Sequence, residues 1–278
     1  MFAEAPQDVA PDRSSPIGVF DSGVGGLTVV RAIERLLPNE SVVYFGDTAR
    51  LPYGSKSPET VIRFALEDAA FLASKRVKMI VVACNTASSV SLPSLRERLK
   101  VPVTGVIEPG AKSAILATRN GAIGVIGTLG TIGSGAYQKA LKAAGSVRMV
   151  VAQPCPLLVP LVEEGWLDGE VTRMVVAQYA APLMREGVDT LVLGCTHYPL
   201  LKPVLAEVMG PEVELVDSAE ATAAEVAHRL SERDLLAERR TSSGGFYVSD
   251  IPLKFQEIAQ RFLGRTIPLV TQVEAGEG

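Results

Sequence analysis

The chain has 278 residues, 47% of them hydrophobic and 21% charged, with a formal net charge of -4. That balance excludes a disordered or collagen-like chain and supplies no general field for nucleic acid or an anionic membrane surface. Three separated cysteines form no evident disulfide framework, no apolar run nears the ~20 residues of a membrane span, and the opening residues do not read as a signal peptide. The expected setting is therefore the cytoplasm, with reduced thiols.

Residues 1–15, rich in Pro, Asp and Ser, are expected to be a flexible N-terminal tail. "PIGVFDSGVGGLTVVRAIERLLP" then reads as a short apolar strand, a Gly-rich turn bearing Asp21 and Ser22, and a helix. Leu27, Val30, Ile33 and Leu37 share one face of that helix, with Arg31, Glu34 and Arg35 on the other. "ETVIRFALEDAAFLAS" predicts a second helix, and "MIVVAC" a strand ending at Cys84, before Asn85 and Thr86. "VIEPGAKSA", residues 106–114, carries a Pro-Gly breaker and is read as a crossing between domains.

"AIGVIGTLGTIGSGAYQKALKAAG" repeats the opening: a strand, a turn with Thr128 and Thr131, and a helix burying Tyr137, Ala140, Leu141 and Ala144. Cys155, in "QPCPLLVP", has no polar context and reads as structural; Glu163 and Glu164, in "LVEEGWLDGE", read most simply as a solvated pair. A helix over "GEVTRMVVAQYAAPLMREG" and a strand over "TLVLGC" lead to Cys195, Thr196 and His197. "LVDSAEATAAEVAHRL" begins another strand-to-helix turn near Asp217, and residues 231–245 read as a helix end and loop. The remaining "GGFYVSDIPLKFQEIAQRFLG" and "IPLV" are too little for a third domain and are expected to return to the first.

The spacing from Asp21 to Cys84 nearly equals that from Thr128 to Cys195, with the same alternation of strand and helix between. Such alternation predicts parallel sheets covered on both faces. The fold class is thus α/β, with two pseudo-symmetric domains, mainly parallel sheets and a site in the cleft between them. The first domain is expected over residues 16–108 and 218–278, discontinuous, and the second over 109–217.

Strand ends line the crevice of open α/β sheets, and there the candidate residues fall. A lone buried cysteine is most often a small hydrophobe. Two cysteines at matching strand ends, each leading into polar residues, weaken that reading. His197, two residues after Cys195, can tune a thiol toward thiolate, and Asp21 with Ser22 can cap the following helix. "DSGVGG" lacks the dinucleotide spacing, no phosphate loop follows, and no CxxC pair exists. A zinc site on Cys84, Cys195 and His197 is the competing chemistry. Opposed thiols suit two-base inversion of a carbon acid: a thiolate removes a proton from one face while a thiol supplies one to the other.

"GVFDSGVGGLTV", "DTARLPYG", "VVACNTAS", "GVIGTLGT" and "LVLGCTHYPLL", in order from about Ile17 to Gly264, resemble the glutamate racemases of the aspartate/glutamate racemase family. The resemblance implies a cofactor-independent isomerase supplying D-glutamate for peptidoglycan, with no cofactor or metal. It implies Cys84 and Cys195 as acid and base, Asp21 assisting near Cys84, and His197 with Glu163 assisting near Cys195. It places Asp21, Ser22, Tyr53, Gly54, Asn85, Thr86, Thr128, Thr131, Thr196 and His197 against the amino acid. The implied partner is glutamate, with no nucleic acid or membrane partner and room for a homodimer. Related aspartate or hydantoin racemases, and a non-catalytic two-domain amino-acid binding protein, are the alternatives.

Overall fold

The computed structural model describes residues 11–241, 244–267 and 269–274. Its strands are β1 (Ile17–Asp21), β2 (Val42–Gly46), β3 (Met79–Val82), β4 (Val103–Gly105), β5 (Ala122–Gly127), β6 (Met149–Pro154), β7 (Thr190–Gly194), β8 (Glu214–Asp217), β9 (Gly245–Val248) and β10 (Val270–Gln272). The first-half helices are α1 (Leu27–Leu36), α2 (Pro58–Ser74), α3 (Asn85–Arg98) and α4 (Ile107–Ala117). They are followed by α5 (Leu129–Gly133), α6 (Ala136–Ala144), α7 (Leu158–Glu163), α8 (Gly169–Arg185), α9 (Lys202–Met209), α10 (Ser218–Glu232) and α11 (Pro252–Leu263).

Two sheets form, ordered β10-β9-β2-β1-β3-β4 and β6-β5-β7-β8, and every pairing is parallel. The core order is the same in both, with β5 to β8 taking the places of β1 to β4. That correspondence is the internal repeat in three dimensions. β1, β2, β3, β5 and β7 are buried along their whole length, as strands covered by helices on both faces must be. One apolar cluster fills the space beneath α2 and α3; another runs from α1 through the second sheet. Among the described residues no helix is long and apolar enough to cross a membrane.

Three expectations change. Residues 1–10 of the expected tail lie outside the described residues, but Asp12 to Ser15 form a hydrogen-bonded turn. Buried Lys78 donates to the carbonyls of Arg13 and Leu235, both at 2.8 Å, and pairs with Glu40 at 2.6 Å. A single buried ammonium therefore ties down the segment leading into β1.

The Pro-Gly pair at 109–110 breaks nothing. Pro109 stands in the first turn of α4, where an N–H would have no helical acceptor, so the ring is tolerated. The crossing itself falls just before, between β4 in the first sheet and α4, which packs on α6, α10 and β7. On α6, Tyr137 and Leu141 are fully buried but Ala144 is exposed at the helix end. β9 and β10 add to the β2 edge of the first sheet, while α10 packs on both α1 and α4.

Candidate functional site

Asp21 ends β1 and Cys84 follows β3; Thr128 follows β5 and Cys195 follows β7. Each pair stands at the point where its sheet's connections diverge, the usual ligand crevice of such sheets. Both points open onto one cleft of about 310 Å³. The first lobe lines it with Ser22, Tyr53, Gly54, Cys84, Asn85 and Thr86; the second with Thr128, Glu163, Cys195, Thr196 and His197. Of the sequence-predicted residues, Asp21 and Thr131 are not in this wall: both are fully buried behind it.

Asp21 does not cap α1. It accepts the Gly23 amide at 2.9 Å on Oδ1 and the Thr196 hydroxyl at 3.2 Å on Oδ2. Burial raises its pKa, opposed by the His197 charge and by the amides of Gly23 and Gly26. The Gly-rich turn thus wraps one buried carboxylate beneath the cleft floor, in contact with both lobes.

Gly25 is needed for that closeness. A Cβ there would overlap the Thr196 hydroxyl and come within 2.6 Å of His197 Nδ1. Gly54 makes the same kind of approach, where a Cβ would meet Thr128 Cβ at 2.7 Å. The lobes also bond directly, Thr86 Oγ1 to Thr128 Oγ1 at 2.9 Å and the Thr28 hydroxyl to the Thr196 carbonyl at 3.3 Å.

The two thiols have unlike neighbours. Cys84 is the N-cap residue of α3, and the start of a helix ordinarily favours thiolate. Burial and then the Asp21 charge outweigh the Ala87 amide and the Ser22 hydroxyl, so Cys84 is pushed up to about 12. Cys195 has His197 Nδ1 at 3.9 Å, and His197 Nε2 meets Glu163 Oε1 at 3.0 Å. Burial opposes a charged imidazole, but the bonds to Cys195 and Glu163 prevail and push His197 up to about 10. Phe262 holds the ring edge-on, with centroids 5.2 Å apart. Glu163 is accordingly no free surface acid. Cys155 is buried, with its thiol 3.5 Å from the Gln153 carbonyl and its pKa pushed up to about 12, first by burial.

Tyr53 contributes its ring to the cleft, not its hydroxyl. That hydroxyl is bonded to Asp47 and, at 3.0 Å, to Asp68, in a cluster that Arg50 joins by ion pairs. Sequence reasoning missed the apolar wall of Leu51, Pro52, Leu129, Pro156, Val159 and Pro160. Their only local signal is apolar residues in connections and short helices, which is too common to mark a site. The alternative zinc set finds no support in the geometry: among the described residues no three of His, Cys, Asp and Glu gather as metal ligands.

A protein-family model described as Asp/Glu/Hydantoin racemase matches residues 17–226. The chain is 55% identical over 260 residues to a glutamate racemase of Geobacter metallireducens, covering 92% of this chain and 96% of that one. It is similar to the crystal structure of glutamate racemase isoform RacE1 from Bacillus anthracis, with a TM-score of 0.91 and 44% identity, covering 95% of this chain and 99% of the other. A glutamate racemase from Francisella tularensis in complex with D-glutamate matches with a TM-score of 0.88 and 37% identity, over 95% of this chain and 98% of that one. The chain belongs to the Asp/Glu/hydantoin racemase family, a family of isomerases.

Proposed function

We propose that the protein is a glutamate racemase, interconverting L- and D-glutamate by two-base proton transfer at Cα and supplying D-glutamate for peptidoglycan synthesis. One observation carries the reading. Two thiols from topologically equivalent strand ends meet in one cleft, with a buried carboxylate near Cys84 and an imidazole beside Cys195.

Cys84, pushed up to about 12, holds its proton at neutral pH and serves as the acid. The protonated His197 sets a positive charge beside the Cys195 sulfur, as a thiolate base requires. Cys195 takes the Cα proton, and Cys84 gives its own to the opposite face of the carbanion-like intermediate. The product form of the enzyme then carries a thiolate at Cys84 and a thiol at Cys195, which are the starting roles for the reverse direction. By the resemblance, Cys195 acts on L-glutamate and Cys84 on D-glutamate.

Amides at the start of α3, with the hydroxyls of Ser22, Thr86, Thr128 and Thr196, suit two carboxylates. Asp21 and His197 assist from behind and beside the thiols, and Glu163 steadies His197. Thr131 acts by fixing hydroxyls, since its Oγ1 meets those of Thr86 at 3.2 Å and Thr128 at 3.0 Å.

The enzyme works in this reading without cofactor or metal, in the cytoplasm, on a free amino acid and with no nucleic acid or membrane partner. A homodimer is part of the same proposal, checked by light scattering of the purified chain. The central test is incubation with L-glutamate in D2O, following optical rotation and Cα deuteration. Both should proceed together and survive exhaustive chelation. Racemisation of aspartate or a hydantoin with none of glutamate would replace the substrate, and zinc-restored activity after chelation would replace the chemistry.

A further inference from the structure

Tyr137 lies in the first turn of α6, carries no motif, and is fully buried. Its hydroxyl crosses from the second lobe to the first and donates to Asn85 Oδ1 at 2.7 Å. Asn85 is 3% exposed, lines the cleft beside Cys84, and its Nδ2 has no hydrogen-bond partner among the described residues. A buried amide donor without a partner is costly in a native protein. At a cleft wall, that cost is relieved when a ligand supplies an acceptor.

The tyrosine settles which end of the amide is left for a ligand. A carboxamide reads as donor or acceptor according to its rotation, and neighbours set that choice. The phenol proton goes to Asn85 Oδ1, at 2.7 Å, and Nδ2 is the end of the amide left without a partner among the described residues. Reversing the amide would turn a carbonyl oxygen toward any substrate carboxylate.

We propose that Tyr137 is a positioning residue of the racemase. Its cross-lobe hydrogen bond holds the Asn85 amide with Nδ2 as a donor to a substrate carboxylate, so that this donor is complete only when the lobes meet. The inference rests on the glutamate racemase reading and adds a residue that the sequence motifs do not contain. Because such a contact serves ground state and transition state alike, its loss weakens binding more than turnover.

The test is steady-state racemisation of both glutamate enantiomers by the full chain, as wild type, Tyr137→Phe, Asn85→Ala and the double variant. Tyr137→Phe keeps the buried ring and should raise KM about tenfold for each enantiomer, with kcat within about twofold. Added to Asn85→Ala, it should change nothing further. Asn85→Asp provides a second check, because it keeps the acceptor for Tyr137 but replaces the donor by an oxygen, and it should raise KM more than Tyr137→Phe does. Wild-type kinetics in Tyr137→Phe, an equal loss in the Asn85→Ala background, or a loss confined to kcat would each overturn the inference while leaving the racemase reading intact. A wild-type chain that racemises no glutamate would overturn both.

Discussion

The two thiol half-sites occupy equivalent places in two similar sheets, yet their chemistry differs. Cys84 stands at the head of a helix of 14 residues, with Ser22 Oγ at 3.7 Å and a buried carboxylate nearby. Cys195 leads into a short turn and is served by an imidazole that a carboxylate holds from behind. Backbone topology makes the pair symmetric, and the neighbouring side chains make it unequal. The helix N-terminus would favour thiolate at Cys84, but burial and Asp21 win, so the half-site with the better backbone field holds the proton. Nor is Asp21 private to Cys84, since it also accepts the hydroxyl of Thr196 beside Cys195.

The largest way to break this comparison is to remove either sulfur. Cys84→Ala and Cys195→Ala should each lower kcat/KM by about 10³-fold or more, and the double variant should lose little beyond either single one. Cys155→Ala should retain most activity. A single-thiol variant that keeps most of its rate would end the two-base account.

Gly25→Ala tests whether the turn and the His197 loop must touch. Forcing a methyl group into the Thr196 and His197 side chains should cost about 1–3 kcal/mol of stability and displace the imidazole. A lower melting temperature together with a fall in kcat is expected; an unchanged kcat would show that the imidazole position is not critical.

His197→Asn sharpens the asymmetry. The enantiomers have an equilibrium constant of one in an achiral solvent, so both kcat/KM values must fall equally, by about 10²-fold for a lost acid-base helper. The one-sidedness should appear in isotope effects. With Cα-deuterated substrate, the effect on kcat/KM should rise for the enantiomer whose proton Cys195 removes. Asp21→Asn should shift both effects, because that carboxylate lies against both half-sites. Matched isotope effects in His197→Asn would show that His197 does not serve Cys195 alone.

The smallest effect concerns pH and stability. His197 rises from its ordinary 6.5 to about 10 on folding, so the folded chain holds this proton more tightly than the unfolded one. Its contribution is full below 6.5 and is lost as pH rises toward about 10. The melting temperature of wild type relative to His197→Asn should be greatest near pH 6 and shrink toward pH 10. A constant gap across that window would show that the imidazole is not bound as a cation.

The amino-acid sequence by itself determined the strands, the repeat and the two cysteines. Short, β-branched apolar runs bounded by turn signals read as buried strands, and a cysteine directly after such a run sits at the crevice end whatever the lobes do. The same local logic placed Asn85, Thr86, Thr128 and Thr196, all within four residues of a strand end. Tertiary structure decided which groups distant in the chain meet, within a lobe and across the two. It turned Asp21 from a helix cap into a carboxylate shared by both lobes, and Glu163 from a solvated acid into the partner of His197. It committed the Tyr53 hydroxyl to Asp47 and Asp68, away from substrate, and aimed Tyr137 at Asn85. It also returned β9 and β10 to the first sheet, across the whole second lobe. The physical reason is range: hydrophobic period and strand ends are set by neighbours in the chain, whereas a buried polar group takes whichever partner folding brings within about 3 Å.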